Sequence, residues 1–386
     1  MQMISSGQQS YWSWASHLSL LINETVSKPA IFYRMNKAWV ATVKQLVVEL
    51  IGQQASKKIK PGLFRGLKNV WIQDSTCIQL PDIMIQKFSG SVVNKKQNSI
   101  AKLNVIVHAL SGFCPVMEWD SFTRPEQAFS RTIMRVAKRG DLVIRDLGYF
   151  VLKGFTEMQE HGIYFLSRWK NRVLVYDSIT GQQIRLLQKL KGKKVLDIVV
   201  LCGKEEKLKV RLIAIKLSPE QAAERRRKAK NNRDTKTNHD SEYYALLDYV
   251  IFITNLDKQL WPAHQIAEAY KVRWNIEILF KSWKSGLRIS SVIPETQKHV
   301  ERVESILYLL LLYIAWFQML VYHPLKRFSA ANVSILLLAK WALSNIAQWL
   351  TQPISTNTTV KLLYHCCYDK RRRTNAFERL SQFTGP

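Results

Sequence analysis

Apolar residues recur with two different spacings along the chain, and each predicts a different kind of element. Residues 1–68 carry a helical spacing. In KAWVATVKQLVVELIGQ (37–53), Trp39, Val43, Leu46, Val47 and Leu50 fall on one helical stripe, and Pro61 and Gly62 end the helical pattern. From Val70 the spacing shortens. NVWIQDSTCIQLP, LNVIVHALSG (103–112), PVMEWDSF (115–122) and DLVIRDLGYF (141–150) read as strands by their β-branched and apolar content, with RPEQAFSRTIMRVAKRGD (124–141) as a helix before the last of them. Three consecutive strands suit an antiparallel meander, and a fourth reached through a helix suits a parallel crossover. A helical FVLKGFTEMQEHG follows. IYFLSRW, RVLVYDSITGQQIRLL, KVLDIVVLC and LKVRLIAIKLS are then short strands at regular spacing, and DYVIFITN (248–255) is one more. Beyond residue 296 the pattern is mostly apolar helix.

The longest apolar run, Ile306–Tyr322, sits at the lower edge of membrane-spanning length and contains Gln318. No second segment resembles it, so a buried core helix is the expectation and a membrane span the rival. The N-terminal MQMISSGQQSYWSW lacks the basic region and apolar core of a secretion signal.

Charge changes the picture. The chain carries 57 Lys and Arg against 29 Asp and Glu, a net +28, and an excess this large on a foldable chain favours a polyanionic partner, nucleic acid first. A run at 224–236, ERRRKAKNNRDTK, and KRRR (370–373) are the densest basic stretches. A solvated helix or loop and a nucleic-acid contact both explain the first of them. Cys77, Cys114, Cys202, Cys366 and Cys367 have no zinc-ligand spacing and read as reduced thiols of a cytosolic protein. No Gly-rich phosphate loop supports ATP use.

Residues 269–286, AYKVRWNIEILFKSWKSG, hold a single carboxylate, Glu277, among basic and aromatic neighbours. On a continuous helix Tyr270, Arg273, Glu277, Lys281 and Lys284 share an arc of about 80°. Val272, Ile276, Leu279, Phe280, Trp283 and Leu287 occupy the opposite face. Simple i,i+4 ion pairing explains the polar stripe at about 0.2–0.5 kcal/mol per pair. Two further carboxylates interrupt apolar strands, Asp74 in IQDST and Asp146 in IRDLGY. There an ionised, unpaired acid is costly to bury. Two strand acids and one helix acid can converge on hard divalent cations, which clamp an in-line phosphoryl displacement. Asp120 and Asp141 are the alternatives for the acidic positions, and His108 reads as a satisfied core histidine.

The spacing Tyr270, Arg273, Glu277, Lys284 resembles the YREK signature of DDE transposases of bacterial insertion sequences, in the family numbered four. RWNIEILFKSWKSG resembles that family's helix, and Asp74 and Asp146 match its first two acidic positions. The resemblance covers about residues 68–290. It implies an α/β fold: an RNase H-like catalytic core, with a mixed five-stranded sheet and helices, interrupted by a β-rich insert and flanked by helical N- and C-terminal regions. The implied boundaries are 1–68, 69–150, 151–260, 261–295 and 296–386, and an extra N-terminal DNA-reading domain would be short or missing. Asp74, Asp146 and Glu277 would be catalytic and hold two Mg²⁺ ions, with Mn²⁺ as a substitute. Tyr270, Arg273, Lys281 and Lys284 would contact DNA phosphates, and Trp169 or Tyr249 would wedge a flipped base. The implied activity is cut-and-paste transposition by hydrolysis and strand transfer. Its partners would be double-stranded DNA, as terminal inverted repeats and target, and a second copy of the chain, with no membrane. The alternatives are a nuclease of the same core without strand transfer and a catalytically dead, transposase-derived DNA-binding protein.

Overall fold

The computed structural model describes residues 10–52, 64, 66–231, 240–295, 297–328, 333–351, 362 and 364–366. The expected break at Pro61 and Gly62, the end of the 224–236 basic run and the KRRR stretch lie outside them. In chain order the elements used below are helices α1 (Tyr11–Ile22), α2 (Lys28–Arg34) and α3 (Lys37–Gly52) and strands β1 (Val70–Leu80), β2 (Ser89–Val93), β3 (Lys96–His108) and β4 (Val116–Ser121). Then come α4 (Glu126–Phe129), β5 (Leu142–Arg145), α5 (Leu152–Glu160), β6 (Tyr164–Arg168), β7 (Val175–Asp177), α6 (Leu186–Leu190), β8 (Val195–Cys202) and β9 (Leu208–Lys216). The last are α7 (Pro219–Lys230), α8 (Ser241–Leu246), β10 (Tyr249–Thr254), α9 (Ala263–Lys271), α10 (Trp274–Lys281), α11 (Val300–Trp316), α12 (His323–Phe328) and α13 (Ile335–Thr351).

The chain divides into two compact units, one of residues 1–59, 74–125 and 274–382, the other of 60–73, 126–273 and 383–386. Strand β1 begins in the second and ends in the first. In the second unit, the start of β1 pairs in parallel with β5, and β5 in parallel with β6. Strand β6 then pairs antiparallel with β10, which continues through β9 and β8 to β7. In the first unit β3 pairs antiparallel with β2 and β4, and neighbours β1. The mixed α/β class with a large mixed sheet agrees with the expectation, and the sheet has ten strands among the described residues.

The apolar run is core. Ile306, Leu310, Tyr313, Ile314 and Phe317 are buried, and so is Gln318, which donates to the Gly112 carbonyl at 3.2 Å. Helix α11 packs on α3, whose buried stripe is Val40, Val43, Val47 and Ile51. That stripe is rotated from the expected one: Trp39 and Leu46 remain 38% and 46% exposed. The β-branched row nests against the large side chains of α11, and the bulkier Trp39 row is turned outward.

Two further expectations fail for local reasons. Strand β2 was not foreseen because SGSVV carries no alternating apolar pattern, and its pairing with β3 creates it. The helix expected over 124–141 is only one α-turn, Glu126–Phe129, followed by 3₁₀ turns through Arg135. Gln73 Nε2 donates to the Phe129 carbonyl at 2.7 Å, and the Arg145 guanidinium to the carbonyl and hydroxyl of Ser130. Those carbonyls are what a continuing α-helix would use.

Buried polar clamps tie the second unit. Asp141, offered above as an alternative acid, accepts from Asn69 Nδ2, Trp71 Nε1 and the Lys138 amide, each at 2.9 Å, and is structural. Arg211 pairs with Asp197 through two contacts of 2.7 Å and donates to the Trp261 carbonyl at 2.6 Å. It thereby fixes the loop that leads into α9. With the Arg211 and Asp197 side chains 5% and 11% exposed, Asp197→Ala strands a buried cation. Denaturant unfolding of this variant is expected to show a loss of about 3–5 kcal/mol, and a loss indistinguishable from zero would contradict the clamp.

Candidate active site

Four register pairs join β1 to β5, from Val70 with Leu142 to Gln73 with Arg145, and the next residue on each strand is an acid, Asp74 and Asp146. Asp146 is the last extended residue before a 3₁₀ turn, Leu147–Tyr149. Arg145 beside it is fully buried; burial pulls its guanidinium down to about 9, and the Phe155 ring lies 5.7 Å from it. At Gly148 the end of the Glu126 side chain lies where a Cβ would be, so any side chain there would displace the Glu126 carboxylate.

Tyr270 and Arg273 come to Asp146 from the other end of the same unit. The Tyr270 hydroxyl donates to Asp146 Oδ1 at 3.3 Å and lies 3.4 Å from the Arg145 carbonyl. Arg273 Nε lies 3.9 Å from the same Oδ1. The backbone explains the convergence. Between α9 and α10 the chain tightens, with Val272 N–H bonding Ala269 and Arg273 N–H bonding Tyr270 across three residues. In such a turn side chains at i and i+3 eclipse. The expected continuous helix is therefore two helices, followed by a π-helical stretch at Ser282–Gly286 in which Leu287 N–H reaches the Ser282 carbonyl at 2.9 Å. The apolar positions Val272, Ile276, Leu279, Phe280, Trp283 and Leu287 are all buried as expected.

Tyr270 departs from the expected exposed stripe. It is 6% exposed, its ring 5.1 Å from Phe252 and 5.4 Å from the Arg168 guanidinium. Burial pushes its phenol up to about 12. The other signature residues belong to the first unit: Asp74 is half-buried on β1, its Oδ1 accepting from the Ser75 amide at 2.8 Å, Glu277 is half-buried and Lys281 exposed on α10, and Lys284 is half-buried on the π segment. The structure thus brings Tyr270 and Arg273 together with Asp146. Three carboxylates are a donor set that suits a hard divalent cation. Among the described residues, however, no three carboxylate, imidazole or thiol groups are gathered closely enough to hold one ion.

Sequence reasoning did not single out Arg168, Arg145 or Glu126. Arg168 is one cation among 57 Lys and Arg, and only the fold places it over Tyr270. Gly148 was a readable signal for Glu126, since nothing in its backbone alone demands glycine. His108 is satisfied as expected, 2% exposed with Nδ1 2.8 Å from Ser111 Oγ. Tyr249 is a core pin, its hydroxyl donating to the Leu190 carbonyl at 3.0 Å; Trp169 is half-buried, with an indole N–H that is buried and lacks a partner. Within 224–231, Arg225 donates to the Leu247 and Tyr249 carbonyls, Arg226 pairs with Asp248 and Lys228 with Glu224.

Residues 65–313 match the family model described as a transposase DDE domain. The chain is 26% identical over 296 residues to the transposase for insertion sequence element IS231E of Bacillus thuringiensis subsp. finitimus, covering 71% of this chain and 62% of that protein. It is 25% identical over 303 residues to the transposase for insertion sequence element IS1151 of Clostridium perfringens, covering 72% and 63%. The chain therefore spans less than two thirds of the length of these relatives. Among solved structures, the piggyBac transposase synaptic complex with hairpin DNA is similar at 9% identity and a TM-score of 0.44, over 91% of this chain and 67% of that one.

The Tyr270 phenol yields a pH signature. Its folded value of about 12 lies above the ordinary 10, so the folded state holds the proton more tightly. The associated stability is complete below pH 10 and is lost as pH rises towards 12. Unfolding free energies measured across that window are expected to fall less steeply in Tyr270→Phe than in the parent. Equal slopes would place the phenol in water.

Proposed function

The chain belongs to the transposase DDE domain family, and we propose that it is a DNA transposase that excises an insertion sequence and joins its ends to target DNA. Hydrolysis and strand transfer are the same attack of an oxygen nucleophile on a phosphodiester, so one set of carboxylates serves both. The observation that carries this reading is the convergence of Tyr270 and Arg273 on Asp146, 124 residues upstream of the tyrosine. A YREK-type spacing is thereby tied physically to a strand-end acid.

In this reading Asp74, Asp146 and Glu277 would be the catalytic acids and would hold two Mg²⁺ ions, with Mn²⁺ as a substitute. Such a pair would activate the attacking oxygen and stabilise the leaving one. The Tyr270 hydroxyl bonds Asp146 Oδ1 and Arg273 lies near the same oxygen, so both would help orient this carboxylate. Arg273, Lys281 and Lys284 bind the phosphates of the terminal repeat. Tyr270, buried under Arg168, orients Asp146 and meets DNA only through its edge. Partners are the double-stranded terminal inverted repeats, target DNA and a second copy of the chain. The site of action is the bacterial cytoplasm, at the nucleoid. The net +28 supports the polyanionic substrate, and burial of the Ile306–Tyr322 run supports a chain without a membrane role. A nuclease that does not join strands is the second reading. Both need the acids, whereas a catalytically dead descendant does not.

Asp74→Ala, Asp146→Ala and Glu277→Ala are each expected to abolish cleavage of an end-bearing duplex in Mg²⁺ while binding of that duplex persists. Full cleavage by any of them removes that residue from the set. Transfer of a pre-cut end into plasmid DNA separates transposase from nuclease.

Salt sensitivity distinguishes structural from DNA-facing cations on α7. Arg225, Arg226 and Lys228 already have protein partners, whereas Arg227 and Lys230 face outward. Log affinity should fall linearly with log salt, with about 0.9 of slope lost per phosphate contact removed. Arg227→Ala with Lys230→Ala is expected to make the slope shallower, and Arg225→Ala to lower the melting temperature instead. An unchanged slope in the first variant returns that face to solvent.

A further inference from the structure

A second site with nucleic-acid chemistry lies wholly within the first unit. A cleft of about 500 Å³ opens where α2 and the turn before α3 meet the start of α11. This is within the usual size of small-ligand sites. Its walls are aromatic. Phe32 sits at the centre of an edge-to-face cluster, with ring centroids 5.3 Å from Tyr11, 5.3 Å from Tyr33 and 5.1 Å from His299. The edge-to-face geometry leaves these rings without a stacked neighbour inside the cluster. Tyr33 is 74% exposed, far more than a ring of this size needs for any packing role.

The cleft also carries charge, with Lys37 and Arg302 as cations and Glu301 as an acid in its lining. Arg302, 7% exposed, lies at its base with the guanidinium 3.9 Å from the Tyr11 ring centroid, and exposed Lys37 stands at its rim. Exposed aromatic faces combined with cations are what a stacked base and its phosphate require. A lipid or an apolar peptide would need a wall without these charges.

We propose that this cleft receives an unpaired nucleobase of bound DNA, stacked on Tyr33, with its phosphate at Lys37. The proposal rests on the DNA-transposase reading above. The cleft does not discriminate strongly among bases. The Asn36 amide, its best edge-reading group, is already committed at both ends: Oδ1 accepts from the Trp39 amide at 3.0 Å and Nδ2 donates to the Tyr33 carbonyl at 3.2 Å. Stacking then dominates, and stacking tolerates any base.

The test uses the full chain and two DNAs of the same length. One is fully paired; the other carries a short single-stranded tail with 2-aminopurine in it. The unaltered protein is expected to quench the tail fluorescence on binding. Tyr33→Ala, at an exposed position that leaves the core intact, is expected to lose the quenching and to bind the tailed DNA at least about fivefold more weakly. Its affinity for the paired duplex stays at the parent value. Phe32→Leu, which keeps an apolar filler, is expected to give a partial loss in the same direction. Quenching by Tyr33→Ala equal to that of the parent overturns the proposal. So does an equal loss on both DNAs, which makes the surface a backbone contact. Competition by free deoxynucleotide at the tail's own base concentration also overturns it, as a nucleotide site. If the parent binds neither DNA, the DNA reading fails first and this proposal with it.

Discussion

The parallel register between the start of β1 and β5 governs everything placed around it. Parallel strands point their carboxyl ends in one direction, and ligand chemistry in open α/β sheets gathers at those ends. The pair is only four residues long, so little besides burial holds its register. Val70, Trp71, Ile72, Leu142, Val143 and Ile144 are all essentially inaccessible. A slip of one residue would turn each apolar side chain to the wrong face and carry the following acid with it. The clamp of Asp141 by Asn69, Trp71 and Lys138 reinforces the register where the strands begin, and Gln73 with Arg145 secures it where they end.

Arg145 illustrates how a strongly basic chain handles cations in its interior. It has no carboxylate in hydrogen-bond contact; its guanidinium bonds Ser130 and lies near Phe155. An arginine tolerates this better than a lysine because its charge is delocalised and its donors are fixed in a plane. Gly154 lies beside this pair: a Cβ there would meet Ser130 Oγ at 3.2 Å and the guanidinium at 3.4 Å. Arg211 solves the same problem with Asp197 and backbone carbonyls. Neither Arg145 nor Arg211 draws on Asp74, Asp146 or Glu277.

Much of this was legible in the chain. Strands β5, β8, β9 and β10 are rich in β-branched and other apolar residues, and such stretches declare themselves. The pairing of Tyr270 with Arg273 was readable as spacing, since two residues three apart on a helix share a face in any helical geometry. Their target, and the burial of Tyr270, were not readable, because both depend on a tightened turn with no proline or glycine to announce it. Strand β2 was invisible because its partner creates it. The helix expected over 124–141 failed because Gln73 and Arg145, remote in sequence, take its carbonyls. In that last case local pattern was overruled by hydrogen bonds from distant residues, which no window along the chain contains, whereas β2 is paired by the neighbouring strand of its own hairpin.

The contact between Glu126 and Gly148 also constrains how such a chain changes over time. With the end of the Glu126 side chain occupying the place of a Cβ, any larger residue at Gly148 has to displace that carboxylate. The two positions are therefore coupled: what is tolerated after Leu147 depends on where the first side chain of α4 can turn.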